Sequence, residues 1–255
     1  MQELTNVSVE FMVFDQKFKV DIPVKTEPIH KIEFLTVLHP LTDLFVDFAV
    51  EKSIKEGKTI SCKKGCGACC RQLVPITESE VYLLYEALMI MPKKNRNKIQ
   101  QQFEKAINKL DKAELLELLE DINELTSEEL RELGEKYFAL GIACPFLENE
   151  SCSIHHNRPM ACREYLVTSP AINCSNPQKG MIDVMPLPNS ISVAAAQLDE
   201  PLHSNYVRQV PLIFSLWLAE EFPDDSPQID SVDMLRKLFS RMAKKQIKDE
   251  PNKEQ

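Results

Sequence analysis

Eight cysteines stand out in this 255-residue chain because of their spacing. The first group reads CKKGCGACCR and supplies Cys62, Cys66, Cys69 and Cys70. Spacings of four and three residues let a tight loop aim several sulfurs at one centre, and Gly65 and Gly67 give that loop backbone freedom. The second group reads CPFLENESCSIHHNRPMACREY and supplies Cys144, Cys152 and Cys162, with Cys174 beyond. Thiolates so grouped suit a metal that joins two loops far apart in sequence, its bonds offsetting the entropy of closing the long segment between them. Buried free cysteine explains one or two such residues, not four within one glycine-containing loop.

Which metal is less directly legible. A structural zinc ion takes four ligands in a tetrahedron, and eight cysteines are enough for two such sites. Cys69 and Cys70 are adjacent, however, and neighbouring side chains do not easily bind one ion. A multinuclear cluster accommodates vicinal thiolates because they can reach different metal atoms, so the reading favours an iron–sulfur cluster, with zinc as the alternative. His155 and His156 follow Cys152 and are candidate ligands, although a surface role fits them as well. His30, His39 and His203 have no cysteine nearby in sequence. Arg71, Arg158 and Arg163 abut cysteines, where a cation would lower a thiol pKa and offset cluster charge; ordinary loop ion pairs are the competing role.

The elements that must position these residues are mainly helical. Alternation at Val7, Val9, Phe11 and Val13, and again at Phe18, Val20, Ile22 and Val24, predicts a hairpin across Asp15, Gln16 and Lys17. Helical periodicity follows from Thr42 to Lys55, with Gly57 after it. Between the cysteine groups, Thr77…Glu80 and Thr126…Glu129 read as capping boxes and Pro92 as the first turn of a helix. Three or four antiparallel helices should fill 77–140. Ile191–Leu198 is either a strand or a buried helix, and helices recur over 211–222 and 231–245. The expected architecture is a mainly α domain with a small N-terminal β-hairpin and two cysteine-bearing loops meeting at a metal site. Its parts are a hairpin and helix over 1–60, the chelating region over 61–178, further helices of the same domain over 179–248, and a disordered tail over 249–255.

A net charge of −9 argues against a nucleic-acid surface. No apolar run approaches the ~20 residues of a membrane span, and no signal peptide is evident, so a cytoplasmic protein is expected. In that reducing compartment clustered thiols bind metal rather than pair as disulfides. Neither a GxGxxG string nor a P-loop occurs.

The strings CGACCR, CPFL, CSI, RP and CREY, in that order, resemble the CxxCxxCC family of zinc- or iron-chelating proteins. That family includes the YkgJ-like proteins and, more distantly, the flagellin lysine-N-methylases. The resemblance spans Cys62 to Cys174 and implies chelation by Cys66, Cys69, Cys70, Cys144, Cys152 and Cys162. Cys62 fits an upstream extension of the pattern, and Cys174 is the loosest match. No activity comes with the resemblance. Three functions follow as expectations: an iron–sulfur protein with a redox or protein-modification role, a zinc-stapled module whose helices bind a protein partner, and, more weakly, a protein-lysine N-methyltransferase. The spacing of Cys62, Cys66 and Cys69 also looks like the cluster loop of radical S-adenosylmethionine enzymes, but those enzymes build strand–helix barrels, which this helical pattern does not suggest.

Overall fold

A computed structural model describes residues 3–14, 16–176, 181–200 and 207–249. The chain is mainly helical with an antiparallel hairpin at its N-terminal end. Strands β1 (Leu4–Val13) and β2 (Gln16–Lys25) pair with Val9 opposite Val20 and Phe11 opposite Phe18. That register sets the alternating apolar residues on one face. The face lies on helix α1, where Phe11 stacks on Phe45 at a centroid distance of 5.1 Å and Phe18 meets Phe48 at 4.4 Å.

Helix α1 runs from Lys31 to Lys55, beginning eleven residues before the expected Thr42 and passing through Pro40. Proline removes one helical hydrogen bond, and the helix survives that loss because its first half is anchored by burial. Phe34, Leu35, Leu38 and Leu41 are all buried. Thr42, fully buried just after the proline, donates its hydroxyl to the Leu38 carbonyl at 2.7 Å.

The stretch expected to be helical forms α2 (Glu78–Met89), α3 (Lys93–Lys112), α4 (Leu116–Glu120) and α5 (Ser127–Ala139). Both capping boxes are present: Thr77 accepts from the Glu80 amide and Thr126 from the Glu129 amide, and each glutamate reaches back to its cap. Between α1 and α2, β3 (Pro75–Ile76) pairs with the later β6 (Val210–Pro211). After α5 come a short hairpin of β4 (Leu147–Glu148) and β5 (Ser151–Cys152), then α6 (Met160–Glu164). Ile191–Ala195 is a helix, α7, which resolves the strand-or-helix ambiguity: the Ser190 hydroxyl caps it, accepting from the Val193 amide at 3.2 Å. Helices α8 (Ser215–Glu221) and α9 (Ser231–Asp249) close the fold. Helix α9 reaches Asp249, one residue into the expected tail; residues 250–255 and His203 lie outside the described residues.

Two large apolar cores form among the described residues. One joins the hairpin, α1, α7 and α9, and takes in Met160 at the start of α6. The other joins α2–α5 with α8 and includes Phe146 and Ile154 from the second cysteine region. Helix α6 lies where the cores meet, and one carboxylate ties it there. Glu80 is 1% exposed. It accepts from the Thr77 amide (2.9 Å) and hydroxyl (3.1 Å), and also from the Met160 amide at 2.6 Å.

Glu80→Ala would strip three buried donors of their acceptor. The expected cost is about 2–4 kcal/mol of unfolding free energy, read from urea denaturation. A loss below about 0.5 kcal/mol would show that Glu80 does not hold α6 in place.

Candidate metal centre

Three stretches of chain bring the cysteines together. The first loop ends in a 3-10 turn over Ala68–Arg71, which places Cys69 and Cys70 side by side. Gly65, with φ of 86°, makes the bend that precedes it. The Cys144 amide donates to the Cys70 carbonyl at 2.7 Å, so the chain returns from the helical insertion directly onto the first loop. The third stretch holds Cys174 in a 3-10 turn over Ala171–Ser175, packed against the turn of Cys69 and Cys70. The Ser61 amide donates to the Val167 carbonyl at 2.9 Å, fixing the first loop against that stretch.

The β4–β5 hairpin presents Cys152 opposite Leu147. Its turn residues Asn149 and Glu150 have φ of 49° and 56°, the left-handed backbone that a two-residue hairpin loop demands. Glu150 then reaches the first loop: Arg71 donates to its carboxylate at 2.7 and 3.1 Å and to the Gly67 carbonyl at 2.8 Å. Gly67 lies where the two loops approach closely. A Cβ there would stand 2.6 Å from the Glu150 carboxylate, 2.8 Å from Leu147 Cδ1 and 3.2 Å from Glu150 Cα.

Cys162 sits on α6, and the residues beside it are ordered by long-range contacts. Arg163 donates to both Asp43 carboxylate oxygens (3.0 and 2.8 Å), to the His156 carbonyl (2.6 Å) and to the Arg158 carbonyl (2.8 Å). Glu164, buried, accepts from the Ser192 amide (3.0 Å), the Ser192 hydroxyl (2.5 Å) and the Ser190 hydroxyl (2.8 Å), tying α6 to the start of α7. Burial raises its pKa above the usual carboxylate range.

Seven of the thiols are half-buried and Cys174 is buried. The adjacent Cys69 and Cys70 thiols interact, which holds the Cys69 thiol pKa below its ordinary value and pushes that of Cys70 up. Burial raises the thiols of Cys62, Cys152, Cys162 and Cys174, and that of Cys144 to about 12. Among the three arginines beside cysteines, Arg158 lies within electrostatic reach of Cys62, Cys69, Cys152 and Cys162 and favours their charged forms. Its guanidinium also donates to the Cys162 carbonyl. Arg71 bridges the loops and Arg163 positions α6.

His155 and His156 are exposed, with rings 6.1 Å apart. Burial first, and then Arg158, lowers the His155 pKa. His39 is more embedded than its sequence context suggests. Its Nε2 lies 3.9 Å from Glu80 Oε1 and has no hydrogen-bond partner among the described residues, while its Nδ1 is 3.4 Å from an Arg163 nitrogen.

The donors suit a soft or borderline metal, for which clustered thiolates are the characteristic ligands. The side chains as they stand do not enclose an ion: among the described residues, no three His, Cys, Asp or Glu groups are arranged to hold one. The fit is therefore one of donor chemistry and converging backbone, with the thiols still to turn toward a common point.

This is a thiol-rich centre assembled from loops on a helical frame. Residues 61–183 match the family model CxxCxxCC, described as "Putative zinc- or iron-chelating domain". Neither a curated protein nor a solved structure matches the chain. Among the described residues, no helix is long and apolar enough to cross a membrane.

Gly67→Ala is expected to cost about 1 kcal/mol, because the Glu150 and Leu147 side chains must move aside and the Glu150 backbone must give slightly to admit the methyl group. Gly134→Ala in α5, where nothing lies within 4 Å of the added atom, should instead stabilise by up to about 1 kcal/mol. Thermal or urea melts of the two variants check both signs.

Proposed function

We propose that residues 61–183 chelate zinc or iron through cysteine thiolates. Cys66, Cys69, Cys70, Cys144, Cys152 and Cys162 are the principal ligands, and Cys62 and Cys174 complete the set. The observation that carries this reading is the meeting of three cysteine-bearing segments around the Cys69–Cys70 turn, joined there by the Cys144 amide on the Cys70 carbonyl.

The metal we favour is iron, as an iron–sulfur cluster, and its role redox or the modification of another protein. Vicinal thiolates and an adjacent guanidinium support this, since clusters are held by cysteine thiolates and tuned by nearby charge. A bound cluster would supply electron transfer. The chain's own part is to hold the sulfurs, to set Arg158 beside them, and to shield them with Tyr165, Val167 and Ile182. Reduced thiols fit a cytoplasmic setting.

A second reading is a structural zinc site whose helices bind a protein partner. The observation favouring it is that the cysteine loops also serve the fold, through Gly67, Arg71 and Glu150.

Anaerobic purification followed by a visible spectrum and iron, zinc and sulfide analysis separates the two. A brown protein with matched iron and sulfide is expected. A colourless protein with stoichiometric zinc and no sulfide would replace the iron–sulfur reading by the zinc one. Cys66→Ser and Cys152→Ser should each lower the metal content at least severalfold, and free reactivity of all eight thiols in the native protein would refute chelation altogether.

A further inference from the structure

The eight cysteines divide into two environments, and the vicinal pair lies on the boundary. Cys62, Cys66 and Cys174 share a small apolar cluster with Ala68, Val167 and Tyr165. Cys144 and Cys152 pack instead on the helical core. The backbone repeats the division. The first set is framed by the Ser61–Val167 hydrogen bond and by the packing of the two 3-10 turns. The second is framed by the Cys144–Cys70 bond and by the β4–β5 pair, with α6 beside them.

We infer that the chain forms two adjacent four-thiolate metal centres, one from Cys62, Cys66, Cys69 and Cys174 and the other from Cys70, Cys144, Cys152 and Cys162. This rests on the chelation reading above and deepens it by assigning each cysteine to a centre. Side chains of adjacent residues diverge, so a single tetrahedral ion is a poor match for Cys69 and Cys70 together. Two neighbouring centres give each of them its own. Four thiolates complete either a structural zinc ion or a cubane iron–sulfur cluster, so the assignment does not depend on which metal is native.

Zinc ion alone is a suitable probe, because it needs no sulfide to occupy a thiolate set. The reduced full-length chain is mixed with excess zinc and desalted, and its bound zinc and thiols protected from a disulfide reagent are counted. About two zinc ions per chain are expected, at four thiolates each. The pair Cys62→Ser/Cys174→Ser should retain about one, with the four thiols of the second set protected. The pair Cys144→Ser/Cys152→Ser should also retain about one, with the protection reversed. A single zinc in the unsubstituted chain, lost completely by either pair, would overturn the division in favour of one centre. Full zinc content in the Cys62/Cys174 variant would overturn it by removing those two residues from the ligand set. No zinc bound by the unsubstituted chain would instead strike the chelation reading. Because Cys144 and Cys152 pack on the helical core, circular dichroism accompanies each variant. If that pair does not fold, the Cys62/Cys174 variant decides alone.

Discussion

The hydrogen bond from the Cys144 amide to the Cys70 carbonyl, 2.7 Å long, is the constraint on which the rest of the structure depends. It requires the chain that leaves the first cysteine loop to come back to it after four helices. Loop closure over such a length costs a few kcal/mol of chain entropy in an unstructured segment. Here the segment is not unstructured. Helices α2 to α5 fold on themselves around Leu84, Phe103, Leu110, Leu119 and Leu133, all buried in one core. Phe103 also meets Phe146, two residues past Cys144, at 5.5 Å edge to face. The return to Cys70 thus follows from packing of the insertion, and metal–sulfur bonds have a largely assembled frame to act on.

Helix α6 illustrates the other half of the problem. Five residues cannot sustain a helix by their own hydrogen bonds, yet Cys162 must be held on one. Two buried carboxylates do this from opposite ends. Glu80 grips the Met160 amide where the helix begins, and Glu164 grips Ser190 and Ser192 where it stops. Each carboxylate takes three hydrogen bonds, which is what makes its burial tolerable. Since Glu80 is also the third residue of the α2 capping box, the start of the insertion and the site of Cys162 share one side chain. Arg163, paired with Asp43 of α1, adds a third tie.

What the sequence made legible was local. The alternating residues of the hairpin and the two capping boxes rest on neighbours within a few residues, and those patterns correspond to elements in the structure; the turn was misplaced, since Gln16 and Lys17 lie in β2 opposite Val13 and Met12, and Asp15 lies outside the described residues. The start of α1 was hidden by Pro40, because the rule that proline ends a helix ignores the burial of Phe34, Leu35 and Leu38 against distant elements. Glu80 was legible as a cap and illegible as the anchor of α6, eighty positions away. Asp43, Glu164 and His39 were likewise invisible as parts of the cysteine region. Arg71, Arg158 and Arg163 look equivalent in sequence, each next to a cysteine, and their contacts separate them: one bridges loops, one faces thiols, one positions a helix. The glycine at 67 carried a signal of another kind, since a glycine between cysteines suggests a tight turn. Its φ is ordinary, and what crowds the position is the close approach of Glu150 and Leu147.

Charge supplies the last link between this frame and metal binding. Burial opposes ionisation at Cys62, Cys144, Cys152, Cys162 and Cys174, so gathering several thiolates there is costly without a cation. The chain as a whole carries net charge −9 and offers little background positive potential. Arg158 is the guanidinium within reach of four of the thiols, and one fixed charge balances at most one of them. The remaining compensation must come from what the thiolates bind. A multivalent metal ion does so by displacing the thiol protons, which couples its affinity to pH in the sense that binding strengthens as pH rises.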